Sequence, residues 1–303
     1  MKIIFMGTPE FGINSLNKLN EKYDIVLVIS QPNREKKKGV LIDTPIAKRA
    51  KELNLNLIQP ENIKDEYEYL KSLDADVLVT AAYGQYIPTK ILNLFKKTIN
   101  VHGSLLPKHR GGAPIQRAIL EGDKTTGVTI MEMAKGLDTG KMYSKCECEI
   151  LDSDNSTTLF EKLSIMGADL LMDSIEDIYN GKNEGVAQDE SLATYSKNIS
   201  KEEELIDLNK TSVEIFNQVR ALAMTPGAYI NVKGVNIKVF KVSIVDDDSN
   251  NQPGTVLNTK KKIVIKTKDK AISLDLLLYP GKKILTGMEF SNGQKIFNLG
   301  DII

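Results

Sequence analysis

The sequence predicts an α/β protein with a Rossmann-like, mostly parallel sheet, helices on both of its faces, and a small C-terminal β-barrel of OB-like form. In the first half, near-continuous apolar runs alternate with segments of helical periodicity, which is typical of a parallel sheet covered on both sides. From Gly227 onward, short strands are separated by turns, as in a small barrel. The chain has 303 residues, of which 41% are hydrophobic and 26% charged, so it can bury a sizeable core.

Five apolar runs predict the buried strands of the sheet, and helical segments lie between them. The predicted strands are Lys2–Met6, Asp24–Ser30, Leu55–Ile58, Asp76–Ala82 and Thr98–His102. One helix is predicted to begin after Pro9. Three more are predicted at Pro45–Leu53, Glu66–Leu73 and Thr89–Phe95. Gly7 and Gly12 in the first turn do not form the G-x-G-x-x-G pattern, so the sequence does not favour a dinucleotide site there.

The middle of the chain predicts a helix, two strands with one polar face, and a long amphipathic helix. These elements are Pro114–Leu120, Thr126–Met133, Lys141–Ile150 and Asn155–Tyr179. A polar segment follows and is interpreted as a connector, and one more helix is predicted at Thr211–Leu222. We therefore predict a first domain over residues 1–182, a linker over 183–207 and a C-terminal OB-like domain over 208–303.

The charge of the chain is balanced overall and uneven along its length. The 40 basic and 40 acidic residues cancel, which argues against a polyanion-binding protein as a whole. Leu205–Ile303, however, carries 14 Lys and Arg against 9 Asp and Glu. Such a basic C-terminal third fits an RNA partner, and it equally fits a small domain that is kept soluble by its lysines.

A second basic feature is the segment Gln31–Asp43, which interrupts the alternation of strands and helices. It contains the cations Arg34, Lys36, Lys37 and Lys38. A loop of this length inside a compact domain is usually functional or mobile. Its cations fit a phosphate backbone, although the composition fits a solvated surface loop about equally well.

Cysteine usage and the N-terminus predict where the protein is found. Cys146 and Cys148 lie two residues apart in an alternating segment, where a disulfide would be strained and no second Cys or His pair completes a zinc site. The chain opens with a predicted strand rather than a signal peptide or presequence, and no apolar run approaches the length of a membrane span. We expect a cytoplasmic protein, and a monomer because no broad exposed apolar helix is evident.

The stretch Thr98–Pro114 holds both histidines of the chain, His102 and His109. On a strand, residues two apart point to the same side, so Asn100 and His102 are predicted to share one face at the carboxyl end of a strand. This amide and imidazole suit an enzyme site, although a lone histidine is more often a satisfied core residue. Asp138 lies in a short loop between two glycines, either as a turn residue or as a carboxylate held toward the same site.

Three motifs together resemble the signature of the folate-dependent formyltransferases. They are Asn100–Pro107 (N-V-H-G-S-L-L-P), Arg110–Pro114 (R-G-G-A-P) and Gly136–Gly140 (G-L-D-T-G). The resemblance extends over the full length, from the opening M-G-T-P-E-F-G to P-G-A-Y and P-G-T-V-L in the C-terminal part. It implies an enzyme of translation initiation that transfers the formyl group of 10-formyltetrahydrofolate to the amino group of methionine on initiator methionyl-tRNA.

The resemblance also implies roles for individual residues. The catalytic residues of the family fall here on Asn100, His102 and Asp138. The folate-contacting stretch falls on Ser104, Leu105, Leu106 and Pro107, with backbone near Tyr83–Ile87 contributing to the same slot. Binding of tRNA is assigned to Arg34, Lys36, Lys37 and Lys38 and to the basic C-terminal domain, and no metal is implied.

The chemistry of formyl transfer is compatible with these residue types. When an amine attacks the formyl carbon, the carbonyl oxygen gains negative charge and needs preorganised donors, which Asn100 and a protonated His102 can supply. The amine must also lose a proton, and a carboxylate such as Asp138 favours a protonated imidazole and can relay protons. A metal ion is not required, because the formyl group is already activated on its carrier.

The chain departs from the family's motifs at a few positions, and alternative functions are also compatible with its sequence. The family usually has tryptophans in the motifs I-D-W and W-P-G-A-Y, where this chain has Leu208 and Thr225. The basic loop of this chain is also shorter than is usual in the family. A formyltransferase acting on an amino-sugar nucleotide would share the same catalytic residues. A dehydrogenase is less compatible, since the G-x-G-x-x-G pattern is missing and no acidic residue ends the second predicted strand. A protein that binds RNA or a nucleotide without catalysis has little use for this amide, imidazole and carboxylate together.

Overall fold

The protein forms two compact units in the computed structural model, which describes residues 1–36 and 40–303. The first unit comprises Met1–Pro114, Thr125–Glu149 and Phe160–Lys197, and the second comprises Ile115–Lys124, Ile150–Leu159 and Asn198–Ile303. The predicted linker of residues 183–207 is therefore divided, and its part up to Lys197 belongs to the first unit. The predicted boundaries of functional domains stay a prediction.

The helices and strands follow the predicted alternation, with ends that differ from the predicted ones by a few residues. In chain order they are β1 (Lys2–Gly7), α1 (Ile13–Lys22), β2 (Asp24–Ile29), β3 (Arg34–Lys36), β4 (Val40–Ile42), α2 (Pro45–Glu52), β5 (Leu57–Ile58), α3 (Tyr67–Ser72), β6 (Val77–Ala81), α4 (Thr89–Leu92), β7 (Lys97–His102), β8 (Arg110–Gly111), α5 (Pro114–Leu120), β9 (Thr125–Glu132), β10 (Met142–Glu149), α6 (Ser156–Tyr179), β11 (Tyr195–Ser196), α7 (Ser212–Ala221), β12 (Ala228–Val232), β13 (Val235–Val245), β14 (Val256–Asn258), β15 (Ile263–Lys266), β16 (Ala271–Leu278), β17 (Ile284–Thr286) and α8 (Gly287–Gly293). Within the described ranges, no helix combines the length and the apolar character that crossing a membrane requires.

A seven-stranded sheet forms the centre of the first unit, in the order β10-β9-β7-β6-β1-β2-β5. Five neighbouring strands of the sheet are parallel to one another: β7, β6, β1, β2 and β5. At the other side, β9 and β10 add an antiparallel edge. Ile3, Ile4, Phe5 and Met6 of β1 are all fully buried. Because successive side chains of a strand point to opposite faces, this burial means that both faces are covered. The predicted Rossmann-like, mostly parallel sheet is confirmed.

The order of the strands reverses at the carboxyl ends of β1 and β6. From β1 the chain continues to β2 on one side, and β6 later joins β1 on the other side. Such a reversal of strand order is where open α/β sheets bind ligands. The loops that follow these two strands are in contact, since Thr8 Oγ1 donates a hydrogen bond of 2.7 Å to the carbonyl oxygen of Tyr83.

Two small sheets were not predicted. The segment Gln31–Asp43, predicted as a loop, contains an antiparallel hairpin in which Arg34 pairs with Ile42. The predicted linker contains β11, which pairs in parallel with β8, so that Tyr195 lies opposite Arg110. Strands of only two or three residues are too short to show a detectable periodicity, which is why the sequence did not reveal them.

An antiparallel sheet of six strands dominates the second unit, in the order β12-β13-β16-β15-β14 with β17 paired to β16. Helix α7 packs on it, and its residues Ile215 and Val219 share an apolar cluster with Leu274 of β16. The helix begins with a capping box in which the side chains and backbone N–H groups of Thr211 and Glu214 satisfy each other. The predicted small C-terminal β domain is confirmed.

Candidate active site

Asn100 lies on β7 opposite Thr80 of β6 in the parallel register. Thr80 is 2% exposed, and its Oγ1 donates a hydrogen bond of 2.8 Å to Oδ1 of Asn100. Because the amide oxygen is occupied in this way, the amide nitrogen of Asn100 is the end that remains to donate to a ligand. The side chain of Asn100 is half-buried, so a ligand can reach it.

His102 ends β7 and is 6% exposed. Its Nε2 lies 3.0 Å from the carbonyl oxygen of His109. A carbonyl oxygen only accepts hydrogen bonds, so Nε2 carries the hydrogen, and Nδ1 is the atom that can bind or release a proton. Asn100 and His102, predicted to share a face, lie together at the carboxyl end of β7.

Asp138 comes from the loop between β9 and β10. Its Oδ2 lies 3.8 Å from Nδ1 of His102 and accepts a hydrogen bond of 2.7 Å from the N–H of Gly111. The residue has a left-handed backbone conformation with φ of 51°, which aspartate tolerates better than most residues. The carboxylate is only 18% exposed, so its attraction to a proton on Nδ1 is screened less than on an open surface. The structure thus brings an imidazole and a carboxylate together from two separate segments.

The segment Ser104–Pro107 forms a firmly held loop directly after β7. Thr129 of β9 contacts it twice, since its Oγ1 donates to the carbonyl of Ser104 at 2.7 Å and accepts from the N–H of Leu106 at 3.1 Å. The ammonium of Lys145 on β10 donates to the carbonyl of Leu106, and partial burial lowers the pKa of this lysine. The antiparallel edge of the sheet therefore holds the loop in place.

The four residues predicted to contact folate differ in exposure. Leu106 is 1% exposed, and the hydroxyl of Ser104 is occupied within the loop by a hydrogen bond of 2.6 Å to the carbonyl of Lys108. Leu105 and Pro107 are half-buried and keep a surface that a ligand can contact. The predicted folate-contacting role of all four residues stays a prediction.

Tyr83 begins the other predicted folate-lining stretch, Tyr83–Ile87. It is 4% exposed, and its hydroxyl has no hydrogen-bond partner among the described residues. Burial raises the pKa of Tyr83 to about 12, so the phenol is neutral at physiological pH. The carbonyl of Tyr83 accepts from Nε2 of Gln31 at 3.0 Å, which ties this stretch to the residues before the basic hairpin.

The predicted tRNA contacts fall only in part within the described residues. The backbones of Arg34 and Lys36 are part of β3, whereas Lys37 and Lys38 fall outside the described residues. The structure therefore does not test these contacts. In residues 1–36 and 40–303, no group of three or more His, Cys, Asp or Glu side chains is arranged to hold a metal ion.

Family comparisons cover most of the chain. The model described as "Formyl transferase" matches residues 1–175, and the model described as "Formyl transferase, C-terminal domain" matches residues 198–295. The chain belongs to the formyl transferase family. The fold of this formyl transferase agrees with the resemblance that its motifs indicate, whereas the catalytic roles of Asn100, His102 and Asp138 stay a prediction.

Two relatives are similar over nearly the whole length of this formyl transferase. "Methionyl-tRNA formyltransferase" of Mycoplasma mycoides subsp. mycoides SC is 44% identical over 298 residues, covering 96% of this chain and 94% of that one. "Methionyl-tRNA formyltransferase" of Staphylococcus aureus strain bovine RF122 is 41% identical over 305 residues, covering 99% of this chain and 98% of that one.

A solved structure shows the same fold at lower sequence identity. It is an N-formyltransferase from Helicobacter canadensis in complex with folinic acid and dTDP-3-aminofucose. The TM-score is 0.70 at 21% identity, and the match covers 90% of this chain and 99% of that one. At this identity, the similarity establishes the fold alone.

Several residues that shape the site were missed by the sequence analysis. Thr80 orients Asn100, while Thr129 and Lys145 hold the loop after β7. Thr80 had a detectable signal, since it is a polar residue near the carboxyl end of an otherwise apolar buried strand. Gln188 donates hydrogen bonds to the carbonyl oxygens of Asp138 and Gly140, and it lies in the polar segment interpreted as a linker, where no local pattern distinguishes it.

Proposed function

We propose that this formyl transferase transfers the formyl group of 10-formyltetrahydrofolate to the amino group of methionine on initiator methionyl-tRNA, for translation initiation. The observation that carries the proposal is the identity of 41% and 44%, over nearly the whole chain, to proteins named methionyl-tRNA formyltransferase. Residues 198–295 match the C-terminal domain of the family, which supports a C-terminal part that binds the same acceptor as in these relatives. The convergence of Asn100, His102 and Asp138 supplies the chemistry.

The donor set of the site fits a ligand that carries a formyl group. The available amide nitrogen of Asn100 is a donor suited to a carbonyl oxygen, and an unprotonated Nδ1 of His102 is an acceptor suited to the proton of an attacking amine. The loop Ser104–Pro107 would hold 10-formyltetrahydrofolate, with the half-buried Leu105 and Pro107 offering apolar surface. When bound, this co-substrate supplies a formyl group that is already activated for transfer to an amine.

Asn100 stabilises negative charge on the formyl oxygen. The charge develops as the amine attacks, and a donor fixed in advance stabilises it without reorganising during the reaction. The hydrogen bond from Thr80 to Oδ1 of Asn100 supplies this preorganisation, because it leaves the amide nitrogen available to donate to the formyl oxygen.

His102 and Asp138 take up the proton that the attacking amine loses and return it to the folate nitrogen, whose bond to the formyl carbon breaks. Nε2 of His102 is occupied with the carbonyl of His109, so the exchange occurs at Nδ1. The carboxylate of Asp138, at 3.8 Å from Nδ1, stabilises the imidazolium that results. The N–H of Gly111 keeps the carboxylate in place during this exchange.

The decisive experiment offers the purified protein 10-formyltetrahydrofolate with one of three acceptors: initiator methionyl-tRNA, elongator methionyl-tRNA, or a nucleotide-linked amino sugar. We expect rapid formylation of the initiator tRNA and no reaction with the amino sugar. Formylation of the amino sugar without formylation of the tRNA would instead establish the alternative acceptor. Omission of the folate is the control for non-enzymatic transfer.

Binding of tRNA is expected to depend steeply on salt, because Lys and Arg contacts to phosphates release counterions. Changing Arg34, Lys36, Lys37 or Lys38 to glutamine is expected to raise KM for tRNA and to reduce the slope of log KM against log salt by about one per cation. The exposed Lys71 of α3, changed to glutamine, is the matched control. Unchanged slopes in all four variants would remove this segment from the tRNA interface.

Thr80→Val is expected to lower kcat about fivefold, because it removes the hydrogen bond from Thr80 that orients the amide of Asn100, and such a bond contributes about 1 kcal/mol. Thr80→Ser keeps the hydroxyl and is expected to retain most of the activity. Steady-state kinetics at saturating tRNA distinguishes the two variants. Equal activity in both would show that Asn100 needs no orientation by Thr80.

We also infer that the protein acts as a monomer in the cytoplasm. The thiol of Cys146 on β10 is free, in agreement with a reducing compartment. Light scattering after size exclusion measures the mass against the 33.6 kDa of one chain, and cell fractionation measures the location. A mass of two chains would contradict the monomer.

A further inference from the structure

Gln188 contacts the loop that carries Asp138, although it is 50 residues away in sequence. Its Nε2 donates to the carbonyl oxygens of Asp138 at 2.7 Å and of Gly140 at 2.8 Å. Its Oε1 accepts from Nε and Nη2 of Arg110, at 3.1 and 2.9 Å. Both amide hydrogens and both lone pairs of one half-buried side chain are therefore used.

Arg110 fixes the orientation of that amide. Its side chain is fully buried, and its Nη1 and Nη2 form a two-point ion pair with Glu190, with both distances at 2.8 Å. Hydrogen bonds from Arg110 lower the pKa of the Glu190 carboxyl, and the same pair raises the pKa of the guanidinium. A rotated amide of Gln188 would direct its N–H groups at the guanidinium and its oxygen at two carbonyls, so a single orientation is stable.

Both the main chain and the side chain of Asp138 are held by hydrogen bonds, from Gln188 and from Gly111, respectively. Gln188 holds its main-chain carbonyl, and Gly111, the neighbour of Arg110 on β8, holds its carboxylate. Strand β11 secures β8 from the same segment of the chain as Gln188. A left-handed aspartate persists only when its surroundings determine its conformation, and these contacts do so.

We infer that Gln188 is a positioning residue for formyl transfer, an inference that rests on the proposed function. Oriented by Arg110, it fixes the main chain of residues 138–140, so that the carboxylate of Asp138 stays beside Nδ1 of His102. Gln188 touches neither of the two catalytic side chains. It acts through the backbone of Asp138, and the segment that carries it is part of the active site rather than a linker.

Two substitutions separate this role from a purely structural one. Gln188→Glu keeps the acceptor for Arg110 and the side-chain volume, but it loses both donors to the loop. Gln188→Met loses all four contacts. Because a displacement of about 1 Å in a catalytic group can lower the rate about 100-fold, we expect both variants to lower kcat about 10- to 100-fold. KM for folate and for tRNA is expected to stay near the wild-type values. Both variants are expected to lose thermal stability, Gln188→Met because it loses its contacts and Gln188→Glu because its carboxylate faces two carbonyl oxygens.

Gln218→Met in the second unit is the matched control. Gln218 also donates to two carbonyls, those of Glu203 at 2.8 Å and Leu205 at 2.9 Å. This control is expected to lower the melting temperature and to leave kcat unchanged. If Gln188→Glu keeps kcat within threefold of wild type, or if it raises KM alone, the positioning role is wrong.

A second readout does not depend on turnover. The chain has two histidines, so the imidazole Cε1–H region of an NMR spectrum contains two resonances, and His102→Asn assigns them. At fixed pH, Gln188→Glu is expected to move the His102 resonance, because the neighbouring carboxylate is displaced. An unmoved resonance contradicts positioning. If the wild-type protein transfers no formyl group, the proposed function fails, whereas the NMR comparison still decides whether Gln188 positions Asp138.

Discussion

Asp138→Asn is expected to lower kcat for formyl transfer about 10²- to 10⁴-fold, the range typical of losing an acid–base partner. The substitution preserves shape, and the side-chain oxygen can still accept the hydrogen bond from the N–H of Gly111. What is lost is the negative charge at 3.8 Å from Nδ1 of His102. Single-turnover kinetics with saturating substrates measures the chemical step directly. KM for both substrates is expected to change little.

Asp74→Asn is the matched control for this prediction, because Asp74 also has a left-handed backbone, with φ of 46°. It is expected to retain full activity. A second comparison combines Asp138→Asn with His102→Ala. If the carboxylate and the imidazole act as one unit, the double variant is expected to be no slower than His102→Ala alone. Additive losses would show that Asp138 acts independently of His102.

Asn100→Ala is expected to lower kcat about 10²- to 10³-fold, the usual effect of removing one donor from an oxyanion site. The amide nitrogen is the end left to donate, since Thr80 occupies the oxygen. Asn100→Asp is expected to be at least as slow, because it places a carboxylate where negative charge develops. Measurement of kcat and of folate affinity by fluorescence titration separates lost turnover from lost binding.

Asn56→Ala, at an exposed position after α2, is the control for the loss of an amide side chain and is expected to be fully active. An Asn100→Ala variant with wild-type kcat and a raised KM for folate would assign Asn100 to binding alone. The oxyanion role proposed for it would then be wrong.

The fold class and the order of elements were predictable because they depend on local pattern. Residues 3–6 of β1 are buried on both faces, and a strand of this kind must be apolar at successive positions, which is visible in the sequence. The carboxyl end of β7 was predictable for the same reason. The pairing of β8 with β11 was not, because it joins residues 85 positions apart, such as Arg110 and Tyr195, through strands too short to show periodicity.

The sequence by itself determined the α/β architecture, the small β domain after it, and the residue types available for chemistry, since apolar periodicity and motif spacing are local properties. Only the tertiary structure decided which nitrogen of His102 faces Asp138, that Thr80 orients Asn100, and that Gln188 belongs to the site. These facts depend on hydrogen bonds between residues that lie 7, 20 and 50 positions apart, respectively, in the chain. A hydrogen bond has a direction and a distance, and both are set only when distant segments pack against each other.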